Sequence, residues 1–383
     1  MPKCHQNHVE GQSNWSVNSS NQRTRLAIFL GILVTLAGPL RRPVDGAPPD
    51  LTANVVVYRE SGRFAGWPAN NGIWSWGDEI VVGFTLGYHK DQDGHTIDGD
   101  RPSTSMQARS LDGGQHWTIE KRTLGNQPHI NFQPIDFTQP GFAALLRSRN
   151  FYYSQDRGKQ WKGPIVLPTF GRPGLLARTD YIVEGKHQIT AFIAAEKESG
   201  KEGQPLCIRT EDGGQTWQPI GWIGKQPPSN YGYAIMPATV ALNEHSYLTM
   251  IRRGGVFDGE RRWWIEPFLS PDAGKSWYML DQPRIDNAGN PATLTRLFDG
   301  RLALAYGWRH APYGIRARLS DDNGQTWSDE LILRTDGRTW DLGYPRTVQR
   351  LDGRLVTVYY FNDHQQKERY IAATIWDPNQ TND

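Results

Sequence analysis

Apolar runs recur along the chain in pairs, each pair hinged on a short polar turn. They are NGIWSWGDEIVVGF (71–84), PIDFTQPGFAALLR (134–147), DYIVEGKHQITAFIAA (180–195), PATVALNEHSYLTMIRR (237–253), PATLTRLFDGRLALAYGWR (291–309) and YPRTVQRLDGRLVTVYYF (344–361). Two-residue alternation, β-branched content and DG, EG or NE turns predict six β-hairpins. A last run, RYIAATIW (369–376), predicts one more strand. No segment carries a 3.6-residue period, so the chain beyond its N-terminal region is predicted nearly all β.

Between the hairpins runs a second periodicity, the phrase S/T-x-D-x-G-x-x-W. Its copies are SLDGGQHW (110–117), SQDRGKQW (154–161), TEDGGQTW (210–217), SPDAGKSW (270–277) and SDDNGQTW (320–327). The starts lie 44, 56, 60 and 50 residues apart, a spacing that suits propeller blades rather than helical hairpins. Asp at the third position can accept hydrogen bonds from the N–H groups of its own turn, and Gly at the fifth supplies a positive φ. Trp at the eighth can wedge between neighbouring sheets. The phrases are therefore read as structural. Six hairpins with five phrases predict a six-bladed β-propeller over residues 48–383, with RYIAATIW where a sixth phrase would fall. Such a fold gathers loops from every blade around one axial pocket.

Charge and composition narrow the classes. Lys+Arg number 42 and Asp+Glu 40, so no general field favours nucleic acid or a membrane surface. Fifteen tryptophans leave ten outside the phrases, several near loops: Trp67, Trp74, Trp76, Trp263, Trp264, Trp308 and Trp340. Aromatic faces at a pocket suit sugar rings. Residues 26–40 (LAIFLGILVTLAGPL) are uncharged and apolar, follow Arg23 and Arg25, and are shorter than the about 20 residues of a membrane span. They read as a secretory signal within residues 1–47, cleaved between Ala37 and Ala47. A secreted or periplasmic protein is expected, an uncleaved anchor being the alternative. Cys4 would leave with the signal, and Cys207 in PLCIR then stands alone as a buried strand residue.

The repeated phrase is the Asp-box, and five of them on six predicted blades resemble the sialidase (neuraminidase) superfamily over roughly residues 54–377. That resemblance implies three arginines clamping a substrate carboxylate, an aspartate as acid/base, and a tyrosine nucleophile paired with a glutamate. Carried over by position, the first arginine is Arg63 in RFAGWP, with two extra residues before Pro68. The second is Arg252, with Arg253 as its alternative, at the end of MPATVALNEHSYLTMIRR. Arg309 in GWRHAPYG is the third, with Arg316 and Arg318 as competitors. Tyr344 opens the last hairpin as the tyrosine. The acid/base falls in HKDQDGHTIDGDRPSTS (89–105), where Asp98 is favoured over Asp100 because His95 and Ile97 suggest an inward-turning loop. One position departs: Met236 stands where the family has its glutamate, and a thioether cannot take a proton from a phenol. Asp341 or Glu266 would have to substitute.

An exo-α-sialidase-like glycoside hydrolase acting on a glycan with an acidic sugar is thus the expected activity. A uronate lyase using Arg252, Arg309, Tyr344, His95 and His310, or a non-catalytic propeller binding anionic glycans, are the alternatives. The expected partner is a glycan bearing sialic or uronic acid, with no nucleic acid, no membrane insertion of the mature chain, no cofactor and no metal; the start Asp91-x-Asp93-Gly94 lacks the remaining ligands of a calcium loop. A monomer is expected.

Overall fold

A computed structural model describes residues 53–228, 232–257, 259–281 and 284–379. The expected signal region and cleavage site lie outside the described residues. Among those described, no helix is long and apolar enough to cross a membrane.

Six antiparallel sheets follow one another along the chain, as the hairpins predict. In blade 1, strands Arg63–Gly66 and Ile73–Trp76 both pair along Glu79–Tyr88, followed by Thr104–Ser110 and Thr118–Lys121. Blade 3 is Tyr181–Val183, Ile189–Ala195, Gln204–Thr210 and Gln218–Trp222. Blade 4 opens with Tyr233–Ala241, Tyr247–Phe257 and Glu260–Ser270, and blade 5 with Ala292–Arg296, Leu302–Trp308 and Tyr313–Ser320. The ring is closed by both ends of the described chain. Blade 6 takes Gly343–Gln349, Leu355–Phe361 and Tyr370–Trp376 from the C-terminal part, and Ala53–Tyr58 pairs outside them, Ala53 opposite Ile375. This is why no sixth Asp-box exists: the turn that would carry it is replaced by the closure.

First strands of successive blades pack side by side, Tyr233–Ala241 on Ala292–Arg296 and that strand on Gly343–Gln349, and so form the inner wall. The core lies between sheets rather than at one centre. Phe64, Val82, Val358 and Ile371 fill the seam of blades 1 and 6, while Leu146, Phe151, Ile193 and Ile208 fill that of blades 2 and 3. Cys207 is fully buried on its strand, and burial pushes its thiol up to about 12.

The five Asp-boxes fold alike. In the first, Ser110 Oγ donates to Asp112 Oδ1 (2.8 Å) and accepts from Gly114 N (2.8 Å), while Asp112 accepts from His116 N (3.0 Å). Thr210, Asp212 and Gly214 repeat the set, as do Ser270, Asp272 and Gly274. The fifth-position glycines take φ between 75° and 92°. Each tryptophan packs on the preceding blade: Trp161 lies 5.1 Å from Trp74 and Trp217 lies 5.2 Å from Phe151, centroid to centroid.

Two details differ from the sequence pattern. Residues 134–147 do not form a hairpin, and only Ala143–Arg147 is a strand, so blade 2 has three. Pro140 cannot donate to a ladder, and Asp136 takes the Thr138 N–H (3.0 Å) into a local turn instead. In blade 1, a helical turn, Pro68–Asn71, interrupts the inner wall.

Candidate active site at the propeller axis

Four blades enter the inner wall through a residue followed by proline: Trp67-Pro68, Met236-Pro237, Asn290-Pro291 and Tyr344-Pro345. Three of these residues are left-handed, Trp67 at φ 62°, Met236 at 53° and Tyr344 at 50°. Such backbone is costly for a bulky side chain and persists only where its surroundings over-determine it. Here the ladders shift register at the same places, between Ile235 and Ala238 and between Gly343 and Arg346. The proline, which has no N–H to contribute to the ladder, sits inside the bulge in both cases.

Asn290 is what holds the tyrosine bulge. Its Oδ1 accepts from Tyr344 N (3.0 Å) and Gly307 N (3.3 Å), and its Nδ2 donates to Leu342 O (2.8 Å). A side chain at Gly343 (φ 102°) would place its Cβ 2.4 Å from Asn290 Nδ2, so only glycine allows this grip.

Around the Tyr344 ring the structure gathers guanidinium groups. Arg252 Nη1 donates to Tyr344 Oη (3.0 Å) and lies 3.6 Å from Met236 Sδ. Arg252 Nε is buried without a hydrogen-bond partner, an uncompensated donor at the site. Burial opposes its charge, but Tyr344, Tyr233 and Glu202 outweigh burial and hold Arg252 more firmly protonated than usual. Arg309 stands 5.5 Å over the Tyr344 ring and 5.2 Å over Trp340, and donates to Leu342 O and to Tyr360 Oη (2.9 Å). A further buried guanidinium, Arg178, feels the charges of Tyr344 and Arg252. It donates to Asn70 Oδ1 (2.9 Å), and burial together with Arg147 and Arg252 lowers it, although Tyr344 and Glu202 act the other way.

Tyr344, Arg252 and Arg309 are therefore brought together, while the other expected residues lie in different settings. Arg63 donates to Gly87 O (2.7 Å), packs 4.3 Å over Tyr88 and lies 3.9 Å from Glu60. Asp98 and Asp100 flank Lys90 Nζ at 3.6 and 2.9 Å, Asp100 being 85% exposed. Glu266 pairs with Arg253 and receives Trp264 Nε1. Arg316 binds Arg334 O and Arg318 binds Tyr306, and His310 meets Trp308 edge-on.

Asp341 is fully buried yet charged. It accepts from His95 Nδ1 (2.6 Å), Tyr360 Oη (2.7 Å) and Arg369 Nε (3.0 Å). Burial alone would raise its carboxyl; the His95 bond and charge and then Arg369 and Tyr360 hold it below the ordinary range. Tyr360 pays the converse, pushed well above the usual phenol by burial and by Asp341. Its ring meets that of Tyr344 at 5.9 Å, which joins the two networks.

Sequence reasoning missed Arg178, Asn290 and the pairing of His95 with Asp341. The hairpin-opening X-Pro dipeptides were the signal available for Asn290. Nothing local marks the other two, since His95 and Asp341 are 246 residues apart.

With this geometry in hand, comparisons with known proteins are informative. A structure of a protein of unknown function from Dyadobacter fermentans superposes with TM-score 0.65 at 23% identity, covering 85% of this chain and 98% of that one. The NanB sialidase of Streptococcus pneumoniae gives 0.56 at 11%, covering 85% of this chain and 70% of that one. An α-L-arabinanase of Penicillium chrysogenum gives 0.56 at 14%, covering 86% and 99%. At such identities these likenesses establish the fold, a sialidase-like six-bladed propeller shared with glycoside hydrolases. No curated protein matches the chain at the level of sequence. The model of the BNR repeat-like domain matches residues 137–357, more than half the chain, and the protein belongs to that family.

Proposed function

We propose that this protein is a secreted or periplasmic glycoside hydrolase of exo-α-sialidase-like type that acts on a glycan ending in an acidic sugar. The observation that carries this reading is the Tyr344 hydroxyl held by Arg252, with Arg309 over the same ring. Clustered guanidiniums in a partly buried site call for an anion, and a planar carboxylate suits their fork. Arg252 also carries a buried Nε with no hydrogen-bond partner. The Arg252 guanidinium also fixes the position of the phenol oxygen, as a nucleophile at an anomeric carbon requires. Met236 beside Arg252 offers no base, and Glu202 is the carboxylate whose field both Arg178 and Arg252 feel. Export is supported by the apolar run 26–40 behind Arg23 and Arg25.

The test is turnover of a sialoside reporter. Tyr344→Phe should abolish it, and Arg252→Ala should lower it roughly 100-fold, the scale of losing one well-placed charge-stabilising donor. Full turnover in either variant would remove the assignment. A second reading, elimination across C4–C5 of a uronate, is favoured by one observation: the Tyr344 hydroxyl accepts a hydrogen bond from a cation, Arg252, which suits a base equally well. An ultraviolet-absorbing unsaturated product from uronate polymers, with sialosides untouched, would establish it instead.

A further inference from the structure

The loop expected to supply a carboxylic acid presents a histidine to the site. Asp98 and Asp100 are engaged with Lys90. His95, on the same loop, reaches across to blade 6 and meets Asp341 at 2.6 Å. Its ring sits between two indoles, Trp67 at 5.6 Å edge-on and Trp340 at 5.6 Å. The side chain is 37% exposed, whereas Asp341 is 0% exposed. Arg309 lies 5.2 Å over the Trp340 ring and 5.5 Å over that of Tyr344, so one guanidinium links the wall beside His95 to the tyrosine.

We infer that His95 is the proton-transfer residue of the axial site, with Asp341 as its positioning residue and Trp67 and Trp340 as the walls of the sugar slot in front of it. The inference rests on the glycoside-cleaving reading and deepens it. Three features support it. A carboxylate can only accept, so the bond fixes the proton on Nδ1 and leaves Nε2, across the ring, for a substrate. Asp341 is itself over-determined, since Tyr360 Oη, Arg369 Nε and Thr96 N (3.4 Å) all donate to it. Such an anchored acceptor sets ring orientation, as in other carboxylate-backed histidines. Finally, two indoles flank the histidine, one edge-on and one tilted, and aromatic side chains beside a proton donor suit the apolar face of a pyranose.

The step balances without a further reagent. Protonated His95 gives its Nε2 proton to the departing glycosidic oxygen as that C–O bond breaks, while the Tyr344 phenolate, held by Arg252, bonds to the anomeric carbon. In the second half, water attacks the anomeric carbon and gives a proton to His95, and the bond to Tyr344 breaks to return the phenolate.

The experiment compares two glycosides of the same acidic sugar, one alkyl-linked and one 4-nitrophenyl-linked, with the full chain. A proton donor matters for the poor leaving group and little for the good one. His95→Gln should lose at least about 100-fold on the alkyl glycoside and less than about tenfold on the nitrophenyl one. Asp341→Asn should give the same pattern with KM unchanged, whereas equal losses on both substrates would overturn the role. Nitrogen-15 spectra of the histidines supply a readout free of turnover: Nδ1–H is expected for neutral His95 in the wild type and not in Asp341→Asn. An Nε2–H tautomer in the wild type contradicts the inference. A wild type inert to all acidic glycosides would sink the hydrolase reading alone, and the tautomer would still decide the pair.

Discussion

The rim and the axis of this propeller are built from the same repeat and treat it in opposite ways. At the rim, five Asp-boxes reproduce one hydrogen-bond pattern, from Ser110–Asp112 to Ser320–Asp322, with a glycine at positive φ at the fifth position of every copy, preceded by a second left-handed residue (Gly113, Arg157, Gly213, Ala273 or Asn323). At the axis, the equivalent hairpin-opening position holds Trp67, Met236, Asn290 or Tyr344, and three of these carry the strained backbone themselves. Constancy at the rim follows from one shared task, turning the chain and wedging an indole onto the preceding sheet. Diversity at the axis follows from convergence: each blade contributes a different group to one place. The repeat therefore explains the scaffold, and the departures from it locate the chemistry.

Several substitutions would break or sharpen that contrast. The largest effect falls at the axis, where Tyr344→Phe should abolish turnover with little change in melting temperature. A loss of fold instead would make Tyr344 a packing residue. At the rim the opposite is expected. Trp217 is 4% exposed against Phe151, and Trp217→Ala should cost about 3–5 kcal/mol in denaturant unfolding, with activity per folded molecule unchanged.

Asp180, on the inner wall between these regions, tests the electrostatics. Burial pushes its carboxyl up to about 7, against the lowering effects of Arg346 and Thr239. The folded state thus keeps a proton that the unfolded chain releases near pH 4, and stability falls as pH rises from about 4 to about 7. Over that window the loss is up to about 4 kcal/mol, and Asp180→Asn should abolish it. Melting temperatures at pH 5 and pH 8 check this; an unchanged difference in the variant would refute it. The smallest effect is expected from Met236→Glu. A carboxylate 3–4 Å from Arg252, the present place of Sδ, would give Tyr344 a base and should raise sialoside turnover about tenfold. No gain would show that the thioether is not what separates this site from one with a paired tyrosine.

The scaffold was legible because its signals are local. Alternation fixes strands, and Asp, Gly and Trp at fixed offsets fix turns, so the blades emerge from the chain alone. Blade 2 departed where Pro140 and the Asp136 turn overrode an apolar run. The site was legible only where a single blade supplies a residue with a recognisable frame, as with Tyr344, Arg252 and Arg309. Arg178 carries no phrase of its own, and the bond between His95 and Asp341 exists only after ring closure brings blade 1 beside blade 6. Asn290 was visible in outline, since its proline matches those after Trp67, Met236 and Tyr344, but its grip on Tyr344 N depends on Gly343 having no side chain.

The claim that the axis binds the carboxylate of an acidic sugar can be tested without assuming a reaction. Isothermal titration would compare a sialic acid or glucuronic acid glycoside with its methyl ester, on the wild type and on Arg252→Ala. The account predicts that esterification weakens wild-type binding about tenfold or more, the order expected for a charge-assisted guanidinium pair, and that this difference shrinks in Arg252→Ala. Equal binding of acid and ester to the wild type would contradict it.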